Sequence, residues 1–102
     1  EKAVGSIAVT RGQNVHRRTG ELGYYVAEPY WNQGIGTDAV RQIVAYVFAN
    51  SDLVRIYAEP FSCNAGSCRI LEKNGFEFEG LLRKNAIKNG AFRDMKLYAL
   101  VR

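Results

Sequence analysis

Residues Ala3 to Thr10 are small and β-branched, a pattern that predicts a strand. A polar loop from Arg11 to Gly20 follows, holding the only histidine, His16. Glu21 to Glu28 then reads as a second strand, closed by Pro29 and expected to pair antiparallel with the first. Next comes the clearest helix: Ile35, Ala39, Val40, Ile43, Val44, Val47 and Phe48 recur at three- and four-residue spacing and form one apolar stripe. Leu53 to Glu59 predicts a strand stopped by Pro60. A short helix is expected from Ala65 to Asn74, with Ala65, Cys68 and Leu71 on one face and Gly75 placed for a C-terminal cap. Phe76 to Ala86 and Phe92 to Val101 flank Asn89-Gly90, a strong hairpin turn signal. In the last strand Met95, Leu97, Ala99 and Val101 alternate with Asp94, Lys96 and Tyr98, which predicts one buried face.

The resulting order is β-β-α-β-α-β-β: an α+β domain with a mixed, mostly antiparallel sheet and one βαβ unit, whose crossover should be right-handed. Without repeats, linkers or low-complexity tracts, residues 1–102 read as a single domain. Its 102 residues, 47% hydrophobic and 24% charged, fit one small core. No apolar run reaches the roughly 20 residues needed to cross a bilayer, so a cytoplasmic protein is expected. Cys63 and Cys68 are too few for a disulfide scaffold or, alone, for a zinc site; reduced thiols and no metal are expected.

The formal charge is +4, and six bases crowd the last twenty residues against one acid, Asp94. Such an excess favours an anionic partner without choosing among nucleic acid, a phosphorylated cofactor and an acidic protein. Tyr24, Tyr25, Tyr30, Trp31, Tyr57 and Tyr98 suit base stacking, but their spacing suits core packing better, so a nucleic-acid-binding domain is the third reading.

More specific is Trp31-Asn32-Gln33-Gly34-Ile35-Gly36-Thr37, between the second strand and the first helix. Glycines let backbone N–H groups approach a ligand, and at a helix N-terminus those groups meet the positive end of the helix dipole. Gly34 and Gly36 can also simply shape a turn. Gly34, Gly36 and Ala39 formally fit the dinucleotide fingerprint, with Glu59 ending the next strand where a ribose-binding acid is wanted. Against this, Pro29 to Gln33 separate strand and glycine, and flanking hairpins contradict a parallel sheet covered on both faces.

A second motif lies downstream, Asn64-x-x-Ser67-x-x-Ile70-Leu71-Glu72-Lys73-x-Gly75-Phe76-x-x-Glu79-Gly80. Together with Trp31 to Ala39 and the order of elements, it resembles the GNAT superfamily of N-acetyltransferases. Within that superfamily the chain is most similar to the ribosomal-protein (RimJ/RimL-like) branch, from Ala3 to the C-terminus. The resemblance implies a GNAT fold lacking the N-terminal part of the domain, roughly its first third. Those elements normally wall the acceptor site, and a sheet edge left without them would favour a homodimer. It further implies acetyl-CoA as cofactor, with the pyrophosphate held by Gln33, Gly34, Ile35, Gly36 and Thr37. Trp31 stands where the family often has Gln or Arg. The pantetheine arm would run along Tyr25 to Ala27, with the Val26 N–H polarising the thioester carbonyl.

Acetyl transfer to an amine needs a neutral nucleophile, stabilisation of the developing oxyanion and a proton for the leaving thiolate. Many GNAT branches take that proton from a tyrosine where this chain has Leu71; in this branch the serine of N-x-x-S substitutes, which implies Ser67 as the catalytic acid. Asn64 would bond the cofactor arm or a water, or merely cap the short helix with Ser67 in its first turn. No general base is assigned: Glu21 and Glu79 are candidates, each more readily an ordinary sheet-face charge, the place where some relatives have an acid or histidine is Ala86, and a water chain is the other route. The expected function is N-acetyltransferase, with a protein N-terminus or a small-molecule amine as acceptor. The alternative is a non-catalytic GNAT fold serving as an acetyl-CoA-binding or dimerisation module.

Overall fold

The computed structural model describes residues 5–26 and 34–102. Its strands are β1 (Gly5–Arg11), β2 (Thr19–Val26), β3 (Arg55–Ala58), β4 (Glu77–Lys88) and β5 (Ala91–Val101), with helices α1 (Ile35–Asn50) and α2 (Ala65–Lys73). They form one five-stranded sheet in the order β1-β2-β3-β5-β4. Every neighbouring pair is antiparallel except β2 with β3, the two strands joined through α1. The expected order of elements, the first hairpin and the βαβ unit are all present.

The turns follow from local chemistry. Asn89 and Gly90 both take positive φ, 54° and 78°, as the two-residue hairpin between β4 and β5 requires. Gly75, at φ 85°, ends α2: its N–H donates to the Glu72 carbonyl and the Phe76 N–H to the Leu71 carbonyl. These paired bonds satisfy carbonyls that the helix end would otherwise leave unmatched, and Phe76 and Leu71 join the same core.

Both helices cover one face of the sheet. Val40 and Val44 of α1 and Cys68 and Leu71 of α2 meet Leu22, Ile56, Ala58 and Tyr98 from the strands. The α1 stripe is placed as its spacing predicts; on α2 Ala65 is exposed while Cys68 and Leu71 are buried. On β5 the prediction of one buried face holds only in part. Tyr98 is 2% exposed beneath the helices, whereas Val101 is 63% exposed. Ala99, on the opposite face, is 2% exposed as well, as expected of that face. Tyrosine fits the covered face because its hydroxyl finds a partner there, donating to Glu72 Oε2 at 2.7 Å.

Candidate active site

Strands β2 and β3 pair over only three positions, from Thr19 with Arg55 to Glu21 with Tyr57. Beyond Glu21, β2 runs on to Val26 bonded to β1 alone. The sheet therefore opens into a split, and among the described residues the β3-facing edge of residues 22–26 has no strand partner. Backbone amides on such an edge are available to an extended ligand with amide groups of its own.

Side chains from both sheet faces border this split. On the helix-covered face Tyr24 reaches the first turn of α2, its Oη 2.5 Å from Ser67 Oγ and 3.1 Å from the Ser67 carbonyl oxygen. Burial pushes the Tyr24 phenol above its ordinary value, the bond to Ser67 opposing that shift. The phenol therefore stays protonated throughout the neutral range. Asn64 is the N-cap of α2 and accepts the Ser67 N–H at 3.0 Å. The capping role is thus filled by the Asn64 oxygen, while its amide nitrogen is still a donor. The Phe61 to Asn64 lead-in is anchored to β5 through Ser62 N–H to the Asp94 carbonyl and the Lys96 N–H to the Pro60 carbonyl.

On the opposite face Thr10, Glu21, Arg55, Tyr57, Glu59 and Leu97 help line a shallow depression of about 380 Å³. Burial raises the Tyr57 phenol, and the Glu21 and Glu59 charges add to the effect. Of the two base candidates, Glu79 is held by both arms of Arg55, at 3.0 and 2.7 Å, which keeps its carboxyl below the ordinary range. That is a structural pair. Glu21 sits where the split begins, on the face away from Ser67.

At the other end of the site, Gly34 is the N-cap of α1 with φ 76°, and no side chain caps the helix there. Among the described residues, a Cβ at Gly34 would meet nothing within 4 Å. Ile35, Gly36 and Thr37 follow as the first helical residues. The first N–H groups of this turn suit an oxyanion such as a pyrophosphate. Asp38 in the same turn is paired with Arg41 and accepts from Gln42 at 2.7 Å; its carboxyl is held low chiefly by the Arg41 bond. Gln33 and Ala27 lie outside the described residues, as does Trp31; of Val26 the backbone alone is described.

Tyr24 and Asn74 are the site residues that sequence reasoning missed. Asn74 Nδ2 donates to the Thr37 carbonyl at 3.1 Å and to the Ile70 carbonyl at 2.9 Å, tying the end of α2 to the start of α1. It occupies the unspecified position between Lys73 and Gly75, so the motif gave no sign of it. Tyr24 carried a sign: it shares the covered face with Leu22, and a half-buried tyrosine needs a partner for its hydroxyl.

The family model described as an acetyltransferase (GNAT) domain matches residues 1–77. The chain belongs to the GNAT acetyltransferase family. It is 35% identical over 101 residues to the Bacillus subtilis protein named probable N-acetyltransferase YjcK, covering 99% of this chain and 56% of that one. It is 28% identical to the Escherichia coli ribosomal-protein-serine acetyltransferase, covering 99% and 56%. The solved structure of Mycobacterium smegmatis RimJ in complex with CoA-disulfide superposes with a TM-score of 0.86 at 32% identity, over 98% of this chain and 48% of that one. The chain thus spans about half the length of the curated relatives it matches. GNAT domains use acetyl-CoA, and the glycine turn and the split edge of this one fit such a cofactor.

Proposed function

We propose that this GNAT chain carries the acetyl-CoA-binding and catalytic centre of an N-acetyltransferase acting on a protein amine, with a small-molecule amine as the second acceptor class. One observation carries the reading: the serine of the downstream motif stands at the wall of the β2–β3 split, its hydroxyl held by a residue of β2 itself. Bound there, acetyl-CoA supplies an activated acetyl thioester.

The residues divide the work by position. Gln33, Gly34, Ile35, Gly36 and Thr37 hold the pyrophosphate, chiefly through N–H groups at the start of α1. The free edge of β2 bonds the pantetheine arm, and the Val26 N–H polarises the thioester carbonyl where negative charge develops. Asn64 donates its amide N–H to the arm while its oxygen caps α2. Ser67 gives its proton to the departing sulfur. Glu21, on the opposite face, and a chain of waters are the candidate acceptors of the proton that the attacking amine loses. A protein acceptor is supported by the ribosomal-protein-serine acetyltransferase relative. A second copy pairing along an edge strand of the sheet is part of the same reading.

Acetyl transfer to a short peptide with a free N-terminal serine, followed by thiol release, tests the function. Turnover that falls with Ser67→Ala supports the reading. Acetyl-CoA binding with no turnover on peptide or small amines would instead favour the non-catalytic module.

A further inference from the structure

Ser67 cannot serve as a proton donor unless its hydrogen is aimed at the sulfur, and a serine hydroxyl rotates freely unless something holds it. What holds it here is Tyr24. Its Oη lies within bonding distance of two Ser67 acceptors, Oγ at 2.5 Å and the backbone carbonyl at 3.1 Å, yet it owns a single hydrogen. Two arrangements satisfy this geometry. In one, Tyr24 donates to the carbonyl and Ser67 Oγ–H donates to Tyr24, so the serine hydrogen is occupied. In the other, Tyr24 turns its hydrogen to Ser67 Oγ, and the serine hydrogen is free.

We propose that Tyr24 is the positioning residue of Ser67, switching its hydrogen from the Ser67 carbonyl to Oγ and so releasing the serine proton toward the sulfur that leaves. The inference rests on Ser67 being the proton donor. As the C–S bond breaks, its electron pair goes to sulfur, which takes the Ser67 proton. Ser67 Oγ takes the Tyr24 proton in turn, and the Tyr24 phenolate is reprotonated from solvent. An aliphatic alkoxide is a far stronger base than a phenolate, so passing the charge on to Tyr24 lowers the barrier that Ser67 alone would face. The raised pKa of Tyr24 keeps its proton in place until that moment. Position is supplied by the fold: Leu22, two residues before Tyr24, is anchored in the core with Leu71 and Cys68 of α2. Strand and helix are thereby fixed relative to one another, and with them the two hydroxyls.

The first test needs no acceptor. Coenzyme A is added to the chain and its bound thiol is titrated by thiolate absorbance in wild type, Ser67→Ala, Tyr24→Phe and the double variant. Donation to the thiolate holds the bound thiol low. Each single variant should raise it by about one pH unit, and the double variant by no more than either alone. A shift in Ser67→Ala but none in Tyr24→Phe overturns the Tyr24 inference alone. No shift in Ser67→Ala overturns the proton-donor reading as well, and failure to bind coenzyme A overturns both. The second test is kcat with the N-terminal serine peptide: Tyr24→Phe should slow wild type about tenfold, leave KM for acetyl-CoA within twofold, and cost nothing further in the Ser67→Ala background. Equal slowing in both backgrounds would show that Tyr24 acts independently of Ser67. Should Tyr24→Phe fail to fold, the wild-type rate in mixtures of light and heavy water decides. A bowed dependence shows two protons in flight, and a straight one contradicts the relay.

Discussion

Helix α1 starts on Gly34, in a left-handed conformation and, among the described residues, with no side chain capping it, whereas α2 starts on Asn64, whose oxygen takes the Ser67 N–H. Both helices pack on the same sheet face and bury comparable residues, Val40 and Val44 in one and Cys68 and Leu71 in the other. The contrast that bears on the site lies at their N-termini. A helix end closed by its own sequence presents side chains, here the Ser67 hydroxyl; an open one presents backbone donors to whatever anion arrives. On the proposed reading this GNAT core uses one end of each kind: α1 for holding, α2 for chemistry. Asn74, at the C-terminal end of α2, bonds the Thr37 carbonyl and so ties that end to the start of α1.

The sharpest way to break this division is to remove chemistry from α2 while leaving its cap. Ser67→Ala keeps the backbone N–H that Asn64 accepts, and should slow acetyl transfer about 100-fold while acetyl-CoA affinity, read by calorimetry, changes less than twofold. An affinity collapse would move Ser67 to the holding side. Next, Gly34→Asp places a carboxylate at the open end of α1. Affinity should fall about tenfold or more, with kcat at saturating acetyl-CoA nearly unchanged.

Asn64→Ala should lower stability by about 1 kcal/mol, seen as a drop in Tm, and weaken acetyl-CoA binding about threefold. Asn64→Asp should restore the cap and not the binding, because it keeps the accepting oxygen and loses the N–H donor. The smallest effect concerns Asp38. Its carboxyl is depressed by Arg41, so the favourable pairing is complete above the ordinary carboxylate range and is lost as pH falls through the depressed value. Asp38→Asn should tighten acetyl-CoA binding about twofold at low salt by freeing Arg41, an effect that added salt erases. In the wild type no comparable tightening should appear between neutral pH and pH 5.

Most of the fold was legible because periodicity and turn chemistry agree in this chain. The α1 stripe, the Asn89-Gly90 hairpin and the Gly75 cap each rest on local rules that tertiary packing did not override. On β5 the strand and the burial of Ala99 were legible, but not that Tyr98 would lie beneath the helices, because alternation tells which residues share a face and not which face the helices cover. Tyr98 is amphipathic and can serve either, and Glu72 on α2, contiguous only in space, decided it. The same reason hid the Tyr24–Ser67 bond and the role of Asn74, which join residues 43 and 37 positions apart. Among the charges, Glu79 lost its claim as a base only when Arg55, 24 residues away, proved to hold it.

The most direct test of the division between holding and chemistry is one calorimetric series: wild type, Gly34→Asp and Ser67→Ala titrated with acetyl-CoA, and wild type with NAD. Micromolar binding of acetyl-CoA is expected for wild type and Ser67→Ala, markedly weaker binding for Gly34→Asp, and none of NAD. Undiminished affinity in Gly34→Asp, affinity lost in Ser67→Ala, or tighter binding of NAD than of acetyl-CoA would contradict that expectation.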